Sequence, residues 1–311
     1  MKFKAFFTDK GVTTLEKKFV PAFEKIGKTC YVYLTRTHVT LMHNAVNADG
    51  VQAIAQFKEA LLFDDYRISS QNEDRIAFAL DLNLLLRALK SSVSMDGDKL
   101  QIKLVKKRPS LNERPMPYLT LESKGFRSAV VQDIPISQPL SRGDVQELQD
   151  TIDAVHNLPR TLVQMPDLGQ LQILVDRLKN VGEALDVAVT FHGDVHLQVS
   201  TTLVSIGSEF RRLQVLGERA AAGSTLDATA SPATRLEQAL ARGEASSVQV
   251  KIKHFAKSLQ CSLTRPDTCY VGVAPSLSYL VMKFQFYAPA THHPDTAVTL
   301  HYRLPVLERV G

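Results

Sequence analysis

Apolar positions along the chain follow two rhythms, and the two recur in the same order in each half of the sequence. Lys2 to Thr8 alternates and is rich in Phe, the pattern of a strand. From Lys10 to Ile26 the period becomes helical. Val12, Leu15, Phe19, Phe23 and Ile26 form one stripe, with Thr8 or Asp9 placed to cap the helix and Gly27 to stop it. Pro21 lies inside this stretch and predicts a kink or interruption. A hairpin follows, Cys30–Leu34 against Val39–His43, turning at Arg36-Thr37-His38. A strand at Ile76–Leu80 leads into a short helix whose Leu82, Leu85, Leu86 and Leu89 share a face. Strands at Leu100–Val105, Tyr118–Glu122 and Ala129–Asp133 close this half at Ile134-Pro135-Ile136.

The second half repeats the order. Arg160–Gln164 reads as a strand, and Asp167 caps a helix bearing Leu171, Leu174, Val175, Leu178 and Val181. A hairpin pairs Val187–Phe191 with Val195–Val199 around His192-Gly193-Asp194. Val248–Ile252 alternates cleanly, a short helix covers His254–Leu259, and strands Leu280–Phe286 and Val298–Leu304 end at Leu304-Pro305-Val306. The spacing between equivalent positions is the same for Tyr31/Val187 and Val39/Val195, then lengthens for Ile76/Val248 and Pro135/Pro305. The difference places an insertion in the second half. Residues 217–247, rich in Ala, Gly, Ser and Thr and containing Pro232, are its obvious seat and read as a flexible loop that buries little. The expectation is an α+β chain of two similar halves: residues 1–136, a connector over 137–158, and residues 159–311.

Composition narrows the class. Of 311 residues, 44% are hydrophobic and 22% charged, enough to bury a real core. The formal net charge of +5 suits a polyanionic partner without requiring one. Cys30, Cys261 and Cys269 are widely spread with no CxxC, the usage of a reducing compartment. No apolar run reaches the roughly 18 residues that a membrane helix needs, and no signal-peptide pattern opens the chain. A soluble intracellular protein is expected.

Several segments together resemble the Hus-one subunits of the nine-one-one DNA-damage checkpoint clamp. They are Met1-Lys2-Phe3-Lys4-Ala5, Ile26-Gly27-Lys28-Thr29-Cys30, Leu85-Leu86-Arg87-Ala88-Leu89-Lys90, Pro117-Tyr118-Leu119-Thr120 and Gln132-Asp133-Ile134-Pro135-Ile136. Met165-Pro166, the hairpin after Leu185 and the closing Leu304-Pro305 match more loosely. The resemblance implies the fold of a proliferating cell nuclear antigen protomer, a sliding-clamp architecture with antiparallel sheets outside and helices lining the inside of a ring. It also implies a non-enzymatic subunit of a heterotrimer with Rad-nine-type and Rad-one-type partners. A loader containing a Rad-seventeen-type subunit would place the ring on double-stranded DNA, where it serves as a platform for checkpoint and repair proteins. The same resemblance implies residence in the nucleus, with the cytoplasm as a second location.

The helix patterns give that reading its candidate residues. At about 100° per residue, Lys10, Lys17, Lys18, Lys25 and Lys28 project opposite the apolar stripe of the first helix, although Glu16 and Glu24 dilute the face. Lysine is a mobile point charge suited to phosphate contact without sequence readout. Arg87 and Lys90 (with Asn83) continue the pattern in the second helix. Arg177 and Lys179, offset by Asp176, carry it in the third, and Lys257 with His254 and Lys253 in the fourth. The plain alternative is a solvated surface. By resemblance, the strand edges that pair across subunits are Tyr118-Leu119-Thr120-Leu121 up to Glu122, and Leu203–Phe210 with Val204, Ile206 and Phe210. The connector residues Ile136, Pro139 and Leu140 resemble the loop beside which clamps bind partner peptides; a simple linker is the alternative.

Catalytic signatures are weak. Gly27-Lys28-Thr29 imitates a P-loop end, but Ala22 stands where its first glycine belongs, and the tripeptide follows a helix instead of opening one. His192 and His196 are four apart on a hairpin, which does not bring them to one face as a helix would, and Asp194 reads as a turn residue. His292-His293 and Asp64-Asp65 have no metal or acid–base partner in the linear sequence. No metal or cofactor is expected. Ser224, Thr225 and Ser231 in the insertion are candidate modification sites. Two further readings remain from sequence: a homotrimeric replicative clamp, and an α+β pocket enzyme whose residues meet only in space.

Overall fold

The computed structural model describes residues 1–44, 50–92, 99–108, 114–124, 129–155, 157–288, 291 and 293–307. Strand β1 (Lys2–Phe7) buries Phe3, Ala5 and Phe7 and leaves Lys2 and Lys4 exposed, as its alternation requires. Thr8 caps the next helix, its side chain accepting the Gly11 N–H at 2.8 Å. The helix then runs unbroken through three segments: α1 (Asp9–Thr14), a π-helical turn (Leu15–Phe19) and α2 (Val20–Ile26). The expected break at Pro21 does not occur. The wider turn, in which the Val20 N–H donates to the Leu15 carbonyl, comes just before the proline and absorbs its missing donor. Gly11 is required by close packing, since a Cβ there would lie 2.2 Å from the Leu62 carbonyl oxygen.

After α2 come β2 (Thr29–Leu34), β3 (His38–His43), β4 (Gln52–Lys58), the single turn α3 (Glu59–Leu62), β5 (Phe63–Ser69), β6 (Ile76–Asp81) and α4 (Leu82–Ser92). Then β7 (Leu100–Lys107), β8 (Met116–Lys124) and β9 (Ala129–Pro135) complete the first half, followed by α5 (Arg142–Val155). The second half holds β10 (Thr161–Gln164), α6 (Leu168–Leu178), β11 (Ala184–Thr190), β12 (Val195–Ser200), β13 (Ser205–Phe210) and β14 (Val215–Gly217). It continues with α7 (Pro232–Ala241), β15 (Ala245–Lys251), α8 (Ile252–Ser258), a 3-10 segment (Leu259–Thr264), β16 (Thr268–Val273), β17 (Tyr279–Gln285) and β18 (Val298–Pro305).

The strands form three antiparallel sheets, and their order displays the duplication. A five-stranded set, β5-β1-β7-β8-β9, has its counterpart in β14-β10-β16-β17-β18. A four-stranded set, β4-β3-β2-β6, has its counterpart in β13-β12-β11-β15. One member of each pair is fused to the other half: β18 pairs with β4, with Leu300 opposite Ala55 and Tyr302 opposite Ala53, making a nine-stranded sheet across the molecule. A single hydrophobic core joins the helices to all three sheets. The fold is therefore α+β with two similar halves, as the pattern predicts.

Two segments differ from expectation. The connector is not a bare linker: α5 lays Val145, Leu148, Ile152 and Val155 on the outer face of the first-half strands, over Tyr33, Met42, Ile54 and Ala77. Residues 217–247 are not a structureless loop. They contain α7, whose Ala239 is fully buried and whose Arg235 is only 7% exposed.

Candidate DNA-facing wall and assembly edges

The long helix, α4, α6, α8 and the 3-10 segment pack against one another as one layer. In the first helix Leu15, Phe19, Phe23 and Ile26 are buried, while Lys10, Lys17, Lys25 and Lys28 are exposed and Lys18 is half-buried. In α4, Leu82, Leu85, Ala88 and Leu89 face inward and Arg87 and Lys90 outward. Among the described residues none of these seven cations has an ion-pair or side-chain hydrogen-bond partner, so their charge is available to a polyanion. In the second half Arg177 and Lys179 are exposed, but Lys179 is held by Asp176 at 2.8 Å. Lys257 is exposed and its Nζ donates to the Ile26 carbonyl at 3.4 Å, which caps the carboxyl end of α2. His43 bonds to the same residue's backbone. Burial holds its imidazole below the usual 6.5, and Lys257 adds to the shift. The basic surface is thus strongest on the first half's helices.

Of the two expected strand edges, one is misplaced. Tyr118–Leu121 lies on β8, which is bonded on both sides, to β7 and to β9; Leu119 and Leu121 are core residues and Thr120 is 1% exposed. The edge of that sheet is β9, whose Val131 is 52% exposed. Alternation cannot separate an inner strand from its outer neighbour, because both present one face to the core. The second expectation falls on β13, which pairs only with β12. Ile206 on this edge and Val204 and Leu203 before it are 42%, 48% and 91% exposed, while Phe210 turns back against the core. The opposite edge of the same sheet is occupied, since Val306 bridges to Val250 and the Leu307 N–H donates to Gln249.

The connector residues are used internally. Ile136 is buried and bridges to Leu80, and the Ser137 and Leu140 N–H groups donate to Ala79 and Ala77, sealing the edge at β6. Leu140 joins the cluster beneath α5, and Pro139 is half-buried. The face beside which a peptide was expected to bind is covered by the chain's own helix. What stays open is a cavity of about 180 Å³ at the end of α5, lined by Ile54, Ile152, Val155, Leu158 and His301.

The residues weighed for catalysis meet in a different way. Asp194, His196 and Glu209 bring their ligating atoms within 4.8 Å of one another on the outer face of β12 and β13. The Arg235 guanidinium occupies that spot, 2.6 Å from Asp194 and 2.9 Å from Glu209. His192 instead pairs with Glu244 at 2.9 Å, which also accepts from Ser224. Asp65 holds Arg67 at the surface of β5. His292 lies outside the described residues. A cavity of about 340 Å³ is lined by Arg160, Thr161, Val189, Phe191, Val273 and Leu277, with no carboxylate, imidazole or thiol in its lining. All three cysteines are buried, and burial pushes the Cys30 thiol up to about 12, away from nucleophilic use.

Comparison with known proteins agrees with this geometry. The family described as Hus1-like protein matches residues 1–308. The chain belongs to the Hus1 family. It is 25% identical over 213 residues to the checkpoint protein hus1 homolog of Dictyostelium discoideum, covering 68% of this chain and 74% of that one. It is 24% identical over 218 residues to the checkpoint protein HUS1 of Homo sapiens, with the same two coverages. Among solved structures, the proliferating cellular nuclear antigen of Entamoeba histolytica superposes with a TM-score of 0.60 over 98% of this chain and 99% of that one, at 9% identity. The fold is that of a sliding clamp. In this Hus1-family chain, sequence reading missed β9 as an edge and missed Arg235. Val131, an apolar residue out of phase with its strand's buried positions, was the available signal for the first. Nothing in the linear sequence marks the second.

Proposed function

We propose that the chain is a non-enzymatic subunit of a heterotrimeric DNA-damage checkpoint clamp in the nucleus. It would encircle double-stranded DNA without reading its sequence and hold checkpoint and repair proteins there. The observation that carries this reading is the internal joint between β18 and β4. Their counterparts by duplication, β9 and β13, each end a sheet and keep one side unpaired among the described residues. A protein that joins its own halves by one strand pairing can join neighbours by the equivalent pairing, and unpaired edges are ready to accept a strand. The internal register, Leu300 opposite Ala55 and Tyr302 opposite Ala53, translates through the repeat to Val130 opposite Ser208 and Gln132 opposite Ile206, for a partner of like structure. Val131, Leu203, Val204 and Ile206 supply apolar contact there.

Family membership supports Rad-nine-type and Rad-one-type subunits as the neighbours and a Rad-seventeen-type loader as the agent that places the ring. Lys10, Lys17, Lys18, Lys25, Lys28, Arg87 and Lys90 would meet phosphate on the inner wall, Lys257 contributing less because it caps α2. Encirclement tolerates weak contacts, since retention is topological. The test is loading of the assembled ring onto nicked circular DNA followed by cutting. The complex stays on circles at high salt and is lost on linearisation. Equal retention before and after cutting excludes encirclement.

A further inference from the structure

Helix α7 sits on the outer face of the β13-β12-β11-β15 sheet, packed on β11 and β15 through the fully buried Ala239. From it Arg235 reaches two carboxylates on different parts of the sheet. One guanidinium nitrogen donates to Asp194 at 2.6 Å, in the turn between β11 and β12; another donates to Glu209 at 2.9 Å, on edge strand β13. The side chains of all three are less than a tenth exposed. Asp194 also accepts the backbone N–H of Arg212, just past the end of β13. Arg211 holds the second oxygen of Glu209. Among the described residues β13 has no strand on its far side, so its outer end is fixed by β12 and by this charge cluster. Removing Arg235 takes the cation from buried Asp194 and leaves Glu209 to Arg211 and the nearby His196. Two carboxylates then stay close together largely out of water, a costly arrangement that movement of the strand end relieves.

We infer that Arg235 is a positioning residue for subunit assembly: from the inserted helix it latches Glu209 to Asp194 and so holds β13 straight for pairing with a neighbouring subunit. This deepens the proposed clamp reading and rests on it. Arginine suits the site because its rigid planar fork points donors on separate nitrogens at two fixed acceptors. The latch gives residues 217–247 a role, since anything that lifts α7 frees the edge strand and weakens the joint.

The test is amide hydrogen exchange of the full chain, with and without Arg235→Met, together with affinity for the partner subunit that joins at β13. The latch predicts exchange in 205–210 faster by about tenfold or more, with exchange in α6 and β16 little changed. It also predicts affinity weaker by a similar factor, with partial recovery in Arg235→Lys. Unchanged exchange in 205–210 overturns the latch, and faster exchange with unchanged affinity overturns its link to assembly. If Arg235→Met fails to fold, Glu209→Gln asks the same question with less buried charge and carries the same two outcomes. A wild-type chain that binds no partner refutes the clamp reading, while the exchange comparison still judges the latch.

Discussion

At the scale of single residues, exposure separates charge that is free from charge that is spent. Lys17 and Lys25 point into solvent opposite Phe19 and Phe23 and hold no partner among the described residues, so replacing either by Gln leaves stability within about 0.5 kcal/mol. Each replacement lowers the salt dependence of DNA binding by the assembled ring by about 0.9 in the log–log slope, read by titration at several salt concentrations, if its lysine meets a phosphate. The histidines give a second prediction. His38, His43 and His196 are each held below their usual 6.5, mainly by burial. Around His196, Glu209 and Asp194 pull the value back up while Arg235 and Arg211 push it down. In the folded chain these imidazoles resist protonation, whereas in the unfolded chain they accept protons near 6.5. Their contribution is therefore complete above 6.5 and is lost as pH falls below it. Melting temperature declines on acidification from neutrality toward about pH 5, and His43→Gln with His196→Gln flattens that decline.

Elements were legible in proportion to how simple their surroundings are. The long first helix, α4 and α6 each present one buried stripe and one wet face, so periodicity found them and placed Lys10, Lys17, Lys25 and Lys28 on the outside, with Lys18 half-buried at the margin. No expectation covered β4 and β5. β4 sits at the joint between halves with Ala53, Ile54, Ala55 and Phe57 all buried, so it lacks alternation; β5 is a polar edge. The edge at β9 was missed because edge status depends on which strands are neighbours, a long-range fact that the local pattern marks only through the out-of-phase Val131. α5 was missed as a helix although Val145, Leu148, Ile152 and Val155 recur at helical spacing, because Pro139, Gly143 and Pro159 around it read as linker. Its anchoring predicts a definite cost. Leu148 is fully buried, and Leu148→Ala lowers unfolding stability by about 2–5 kcal/mol, measured by urea denaturation. A shift of less than about 0.5 kcal/mol, the size of an ordinary surface change, contradicts the packing of α5 on the sheet.

For the whole molecule, the duplication underlies the proposed assembly. Four strands of one half and five of the other already form one continuous sheet, and the remaining five and four end in β9 and β13. The same geometry accounts for apolar side chains where a solitary protein would place polar ones, with Leu203 91% exposed. A heterotrimeric checkpoint clamp and a homotrimeric replicative one are told apart by whether β9 and β13 of identical chains fit each other. The measurement that bears most directly on this is native mass by light scattering, for the chain alone and mixed with Rad-nine-type and Rad-one-type subunits, with Val131→Lys and Ile206→Lys chains beside it. The account predicts a monomer alone, an equimolar three-chain complex in the mixture, and loss of a different neighbour with each edge variant. A chain that stays monomeric with both partners, or a complex untouched by both edge variants, contradicts it.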